Sequence, residues 1–256
     1  MAKIISYNVN GIRAALKKGL LDWIGKNDYD IIGFQETKAQ PDQIDEDPFK
    51  ELGYECFWHS AEKKGYSGVL TLSKLPVEEF FAETGMSDYD REGRFMHTLI
   101  DGILFINTYF PSGSSGDERQ AFKMEFLDDY FNYLNGLKGK YESIVVLGDY
   151  NICHKEIDIH NPVSNKDTSG FKPEERAWMS KFFDSGFVDT FREFHPEADR
   201  YSWWSFRANA RANNKGWRID YINTTENLKS NLLDADIFDQ VKHSDHCPIY
   251  LEMKLK

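Results

Sequence analysis

The chain is poor in everything that would tie it to a wall, a membrane or a disulfide scaffold. It has three cysteines, Cys56, Cys153 and Cys247, scattered without metal-ligand spacing, and an odd number closes no disulfide framework. A reduced, intracellular protein is expected, placed in the cytoplasm. No apolar run approaches membrane-spanning length, and Met1-Ala2-Lys3-Ile4 enters a strand pattern at once, so neither a membrane span nor a secretory leader is expected. Positive charge is also in deficit. The formal net charge of −11 argues against a protein that coats nucleic acid by bulk electrostatics. No internal repeat and no linker interrupts the sequence. With 256 residues, 41% of them hydrophobic and 15% aromatic, the chain suits one domain spanning 1–256 around a large core.

What is present alternates between strand and helix periodicity. Lys3 to Val9 reads as a strand, Ile12, Leu16, Leu20, Trp23 and Ile24 recur at helical spacing, and Asp30 to Glu36 is a second strand, a β-α-β opening. Short strands follow at Tyr54 to Ser60, Gly68 to Ser73, Val77 to Ala82, Phe95 to Asp101 and Ile103 to Phe110, with Asp101-Gly102 as a hairpin turn. Asp117 to Lys138 places Phe122, Phe126, Leu127, Tyr130, Phe131 and Leu134 on one helical stripe. A second helix runs from about Pro173 to Ser185 after the polar stretch His154 to Lys172, and further strands are expected at Phe187 to Phe194, Tyr201 to Phe206, Trp217 to Thr224 and Ile249 to Leu255. The order points to two packed sheets flanked by helices.

One stretch organises the rest. Ile144-Val145-Val146-Leu147 is a β-branched run of the kind covered on both faces, and it drives into Gly148-Asp149-Tyr150-Asn151. Ligands of α/β sheets sit beyond the carboxyl ends of such strands, and the alternation across Tyr150 points Asp149 and Asn151 the same way. Taken alone the sequence suits an Asx-type turn equally well. Its company favours a site. Asn8 and Asn10 follow the first strand, Glu36 the second, and Tyr109 ends the hairpin strand; Asp220 and the pair Asp245-His246 flank later strands. Glu36 with amide oxygens is hard, all-oxygen coordination, suited to Mg²⁺ or Mn²⁺ rather than Zn²⁺. His246 with a carboxylate partner suits charge on a phosphoryl group, and Asp149 suits an attacking water. Metal-assisted phosphoester hydrolysis is the reaction class these groups share. From Arg200 to Ile219, five basic residues (Arg200, Arg207, Arg211, Lys215, Arg218) and no acid interleave with Tyr201, Trp203, Trp204, Phe206 and Trp217, a mixture that suits phosphate contact with stacking.

Tyr7-Asn8-Val9-Asn10-Gly11-Ile12-Arg13, Gln35-Glu36-Thr37-Lys38, Tyr109-Phe110-Pro111, Gly148-Asp149-Tyr150-Asn151, Asn209-Ala210-Arg211, Gly216-Trp217-Arg218-Ile219-Asp220-Tyr221 and Ser244-Asp245-His246-Cys247-Pro248-Ile249 together resemble the exonuclease III family of apurinic/apyrimidinic endonucleases, in its bacterial form. The resemblance implies a four-layer α/β/β/α sandwich of two packed mixed sheets, deoxyribonuclease I-like. It implies metal positions at Glu36 with Asn8, Asn10 and Asp245, and a water-orienting or deprotonating role for Asp149, assisted by Asn151. His246 with Asp220 would contact the scissile phosphate, and Tyr109 would stabilise the phosphate or leaving group. Trp203, Trp217 and Ile219 match the apolar pocket for a flipped-out abasic sugar, Asn165 a phosphate contact, and Arg207 and Arg211 further substrate contacts. Arg207 stands where vertebrate relatives carry a methionine wedge, Asn10 where they carry an aspartate, and Ile5 where they carry the cysteine of a redox role, which is therefore not expected here. The implied activity is Mg²⁺-dependent hydrolysis of duplex DNA 5′ to abasic sites with 3′-end trimming, by a monomer without membrane contact. A superfamily phosphatase acting on a phosphoinositide or another small phosphoester is the competing enzyme reading, and a non-catalytic DNA-damage binder the competing reading from another class.

Overall fold

The computed structural model describes residues 1–255. Its strands are β1 (Ala2–Asn8), β2 (Ile31–Gln35), β3 (Glu55–His59), β4 (Val69–Ser73), β5 (Glu79–Phe81), β6 (Phe95–Ile100), β7 (Ile103–Tyr109), β8 (Ile144–Asp149), β9 (Phe187–Asp189), β10 (Asp220–Thr225), β11 (Leu232–Ile237) and β12 (Ile249–Met253). They form two six-stranded sheets, in the orders β11-β12-β1-β2-β4-β3 and β5-β6-β7-β8-β10-β9. Both sheets are mixed: β1 runs parallel to β2 and antiparallel to β12, and β8 runs parallel to β7 and antiparallel to β10.

The period-two rule explains the layers. Along β8, Val145 and Leu147 point between the sheets, into a core with Ile4, Ile31, Phe105, Ile222 and Leu251. Ile144 and Val146 point the other way, against Phe126, Tyr130, Trp178 and Phe182 of the outer helices Asp117–Lys138 and Pro173–Asp184. On the far side, Ile5, Tyr7, Ile32, Phe34, Leu70 and Leu72 pack with Leu20, Ile24 and Phe49 from the opposite helical layer. Every position of β8 is buried, as a strand covered on both faces requires. The four-layer α/β/β/α sandwich is the observed fold. Glycine sets its tightest contact. A Cβ at Gly33 would lie 2.3 Å from a Leu147 methyl, so the sheets touch there only because β2 carries no side chain.

Three local expectations change, and one strand is added. The helix read through Ile12 to Ile24 is two helices, Ile12–Lys17 and Leu20–Lys26, broken where Gly19 takes a left-handed conformation (φ 92°). The strand at Phe187 to Phe194 ends at Asp189, whose carboxylate accepts from the Arg192 backbone N–H and caps a helix at Thr190–Phe194. Tyr201 to Phe206 is no strand; only Trp203 pairs, with Trp217 and His246 in isolated bridges. The edge strand β11 is not expected from the sequence, because a register shift between Leu232 and Asp234 breaks the alternation of Leu-Leu-Asp-Ala-Asp-Ile. The Asp101-Gly102 hairpin forms as expected, both residues having positive φ (51° and 67°) between β6 and β7. No helix is long and apolar enough to cross a membrane among the described residues.

Candidate active site at the shared end of the two sheets

Strand register brings the polar residues together. Tyr109 lies directly beside Asp149 in the parallel pair β7/β8, and Asp220 lies opposite Asp149 in the antiparallel pair β8/β10. Three side chains distant in sequence thus stand in one row at the end of the second sheet. Asn8 ends β1 in the first sheet, and its amide Nδ2 donates to Asp149 Oδ2 at 2.8 Å across the gap between sheets. Gly148 is what lets the row form, since a Cβ there would sit 1.8 Å from the Thr108 carbonyl oxygen.

Asp149 is buried and held from several directions. The Asn151 backbone N–H donates to its Oδ1 at 2.8 Å, and the Asn151 side-chain amide donates to its Oδ2 at 3.3 Å and to the Phe110 carbonyl at 3.0 Å. Asn151 has φ 53°, so the turn is the Asx-type turn suggested by composition, here used to aim a carboxylate. His246 faces the same carboxylate, its Nε2 3.8 Å from Asp149 Oδ2, while its Nδ1 lies 2.9 Å from Asp220 Oδ2. Asp220 is fixed in turn by the Ser202 hydroxyl, which donates to it at 2.6 Å and accepts from the backbone N–H groups of Ile219 and Asp220.

The electrostatics follow from this burial. Loss of water pushes the Asp149 carboxyl up to about 7, with the nearby Asp220 carboxylate adding to the rise and the His246 ring opposing it. Burial alone would push the His246 imidazole down. The Asp220 and Asp149 carboxylates outweigh it and hold the ring as an imidazolium, up to about 10. The Tyr109 phenol is pushed well up by burial, and the Glu36 and Asp149 carboxylates both add to the rise, placing the hydroxyl within the fields of both. It stays a neutral donor.

A second group of oxygens gathers beside this row. Glu36, in a left-handed turn at φ 55°, places Oε1 at 2.9 Å from the Lys38 ammonium, which donates to Asn10 Oδ1 at 2.6 Å. Asn10 Nδ2 in turn donates to Asp245 Oδ1, and the Trp203 indole donates to Asp245 Oδ2 at 3.0 Å. Two oxygens from different loops therefore already converge on one cation, and the donor set is all oxygen. That is a fit for a hard dication. Asn8 is turned differently: its Oδ1 accepts the Asn10 backbone N–H, and its amide serves Asp149. Asp149, Asp220 and His246 form a separate compact cluster of potential ligand atoms, all within 4.8 Å of one another.

Trp203, Trp217 and Ile219 come together as expected, joined by Cys153, Ile159 and Phe171, with the two indoles edge to face at 6.0 Å. The basic stretch changes meaning. Arg218 is buried against Asp158 and Asp189, Arg200 pairs with Asp236 and Glu197, and Tyr201 and Trp204 are core. Arg211 does not stand free to meet a substrate: its guanidinium donates to the carbonyls of Ser244, Asp239 and Val241 and lies over the Trp204 ring, clamping the loop that carries Asp245 and His246. Asn165 spends its amide on the carbonyls of His160 and Asn161 within its own turn. Of the five basic residues, only Arg207 and Lys215 have side chains without a hydrogen bond or ion pair among the described residues, and Arg207 stands exposed beside Phe206, itself 73% exposed.

Sequence reasoning missed Ser202 and Arg94. Arg94 is buried under Tyr109, its guanidinium 4.8 Å from the ring centre and 3.3 Å from the Tyr109 carbonyl oxygen, and is anchored by Glu92. Neither had a signal: a serine among aromatics and an arginine at a strand start look like surface until the chain folds.

Residues 5–246 match the family model described as Endonuclease/Exonuclease/phosphatase family. An exodeoxyribonuclease of Bacillus subtilis (strain 168) is 39% identical over 251 residues, covering 97% of this chain and 98% of its own. The DNA repair nuclease APEX1 of Danio rerio is 37% identical, covering 97% of this chain and 81% of its own. An AP endonuclease structure from Archaeoglobus fulgidus superimposes with a TM-score of 0.90 at 30% identity, covering 99% of this chain and all of that one. With motif, fold and site geometry in agreement, the chain belongs to the endonuclease/exonuclease/phosphatase family, among its exonuclease III-type DNA-repair nucleases.

Proposed function

We propose that the protein hydrolyses the phosphodiester 5′ to abasic sites in duplex DNA and trims 3′ ends, with Mg²⁺ as its ion and Mn²⁺ as a substitute. The observation that carries this reading is the facing pair: an Asp149 carboxylate held by Asn8 and Asn151, 3.8 Å from the His246 ring held by Asp220. Asp149, with a carboxyl raised towards neutrality, accepts a proton from water and aims the oxygen at phosphorus. His246, positive and rigid, meets the charge that develops on the phosphoryl oxygens. Tyr109 is a neutral hydroxyl donor beside Asp149 for a phosphate or leaving oxygen. Trp203, Trp217 and Ile219 form a wall suited to a sugar that has lost its base, which costs little to unstack. Arg207 and Phe206, both exposed, suit backbone charge and base stacking.

Glu36 and Asn10, with Asp245 positioned by Asn10 and Trp203, are the residues that would hold the ion. When bound, a hard dication supplies positive charge that neutralises a phosphate oxygen. We place the enzyme in the cytoplasm, a reading supported by three unpaired thiols, and take it to act as a monomer.

A duplex oligonucleotide with one tetrahydrofuran abasic analogue, incubated with Mg²⁺ and then with EDTA, tests the reading. A single nick 5′ to the analogue that disappears with EDTA is expected. Intact strands in Mg²⁺, or hydrolysis of a small phosphomonoester in their place, overturn it.

A further inference from the structure

The long helix Asp117–Lys138 buries a lysine on its inner face. Lys123 is fully buried, and its ammonium makes a 2.6 Å ion pair with Glu175, also fully buried, from helix Pro173–Asp184. A charge pair so deep costs desolvation that an apolar pair of the same volume avoids, so it contributes little to stability by itself. Its hydrogen bonds show what it holds. Lys123 Nζ also donates to the carbonyl of Asn151 at 2.8 Å, the residue whose N–H and amide orient Asp149. Glu175 Oε1 accepts from Gln120 as well, and Oε2 accepts from the backbone N–H groups of Gly170 at 2.6 Å and Lys172 at 2.9 Å.

Gly170 is the other end of the device. Its carbonyl accepts from the Cys153 N–H, and a Cβ built on it would lie 3.0 Å from both the Asn151 carbonyl oxygen and the Trp217 ring. The segment that Glu175 pins therefore packs at once against the turn behind Asp149 and the wall formed by Trp217. Ser169 donates to Gln120 Oε1 and closes the network. One ion pair grips the outer helices at one end and two parts of the site at the other.

We propose that Lys123 and Glu175 are positioning residues, which hold the Asp149–Asn151 turn in register with the Trp217 wall; this rests on the nuclease reading above. Neither reaches substrate. Their effect is to fix where Asp149 points, and displacing a reacting group by an ångström can cost about 100-fold in rate.

The test is the double variant Lys123→Met with Glu175→Gln, which leaves no buried charge without a partner. The glutamine retains an acceptor for Gly170, but methionine has no donor for the Asn151 carbonyl. Cleavage kinetics on the tetrahydrofuran duplex in Mg²⁺ are read beside the wild-type protein, at a temperature where circular dichroism shows both folded. A kcat lower by about 100-fold with KM changed less than about threefold is expected, while circular dichroism shows the variant as fully folded as the wild type, so that the loss belongs to the folded enzyme. A kcat within about twofold of wild type, or an equal change in kcat and KM, overturns the proposal. A double variant that does not fold overturns it too, making the pair a requirement of the fold. Absence of cleavage by the wild type counts against the nuclease reading itself.

Discussion

The Asn8 amide donates to Asp149 across the two sheets at 2.8 Å, so the residue that ends the first strand of one sheet holds the carboxylate that ends the central strand of the other. Asp149→Asn keeps the volume but removes the proton acceptor. Turnover on an abasic duplex should fall by about 10²–10⁴-fold, with binding by fluorescence anisotropy within a few-fold of wild type. Near-normal turnover would show that Asp149 is structural.

Trp217 packs edge to face on Trp203 and is half-buried beside Ile219 and Phe171. Trp217→Ala should lower abasic cleavage by roughly 10–100-fold, the scale of one lost aromatic contact with a nucleotide, and spare hydrolysis of a generic phosphodiester. Equal losses on the two substrates would reduce Trp217 to core packing.

Glu36 meets Asn10 around one cation, now the ammonium of Lys38. Removing its charge with Glu36→Gln should raise the Mg²⁺ concentration for half-maximal cleavage by at least about tenfold, while the fold persists by circular dichroism. An unchanged Mg²⁺ titration would place the ion elsewhere, with the cluster of Asp149, Asp220 and His246 the first alternative.

Asp158 joins two arginines beneath the site segment 217–220. Burial alone would raise its carboxyl, but Arg218 and Arg192 outweigh burial and lower it from 3.8 to about 2. A carboxyl depressed in the folded state contributes stability that is present above its unfolded value and lost as pH falls through the folded value. About 2 kcal/mol should therefore disappear between roughly pH 4 and pH 2. Urea unfolding at stepped pH measures it. Asp158→Asn should flatten that window, and a wild-type slope retained in the variant would assign the loss to other carboxylates.

The sequence by itself determined the architecture and offered the candidates for the site. Period-two burial of the run at 144–147 and the helical stripe through Phe126 and Tyr130 define layers, because each element has one apolar arrangement to satisfy. Polar residues at the strand ends were visible as candidates because nothing in a strand's own chemistry asks for Asn8, Glu36, Asp149 or Asp220 there. Short elements were less legible: Tyr201 to Phe206 has strand composition yet only isolated pairing, since β-propensity measures fit to neighbours that local sequence does not name. Only the tertiary structure decided which charges are free. Arg211 and Arg218 look like Arg207 in sequence, but folding commits the first to carbonyls and the second to Asp158 and Asp189, and leaves the third exposed. It also brought Ser202, Arg94 and Lys123 to the candidate site, because buried donors must find acceptors and those acceptors lie on chain segments far away in sequence.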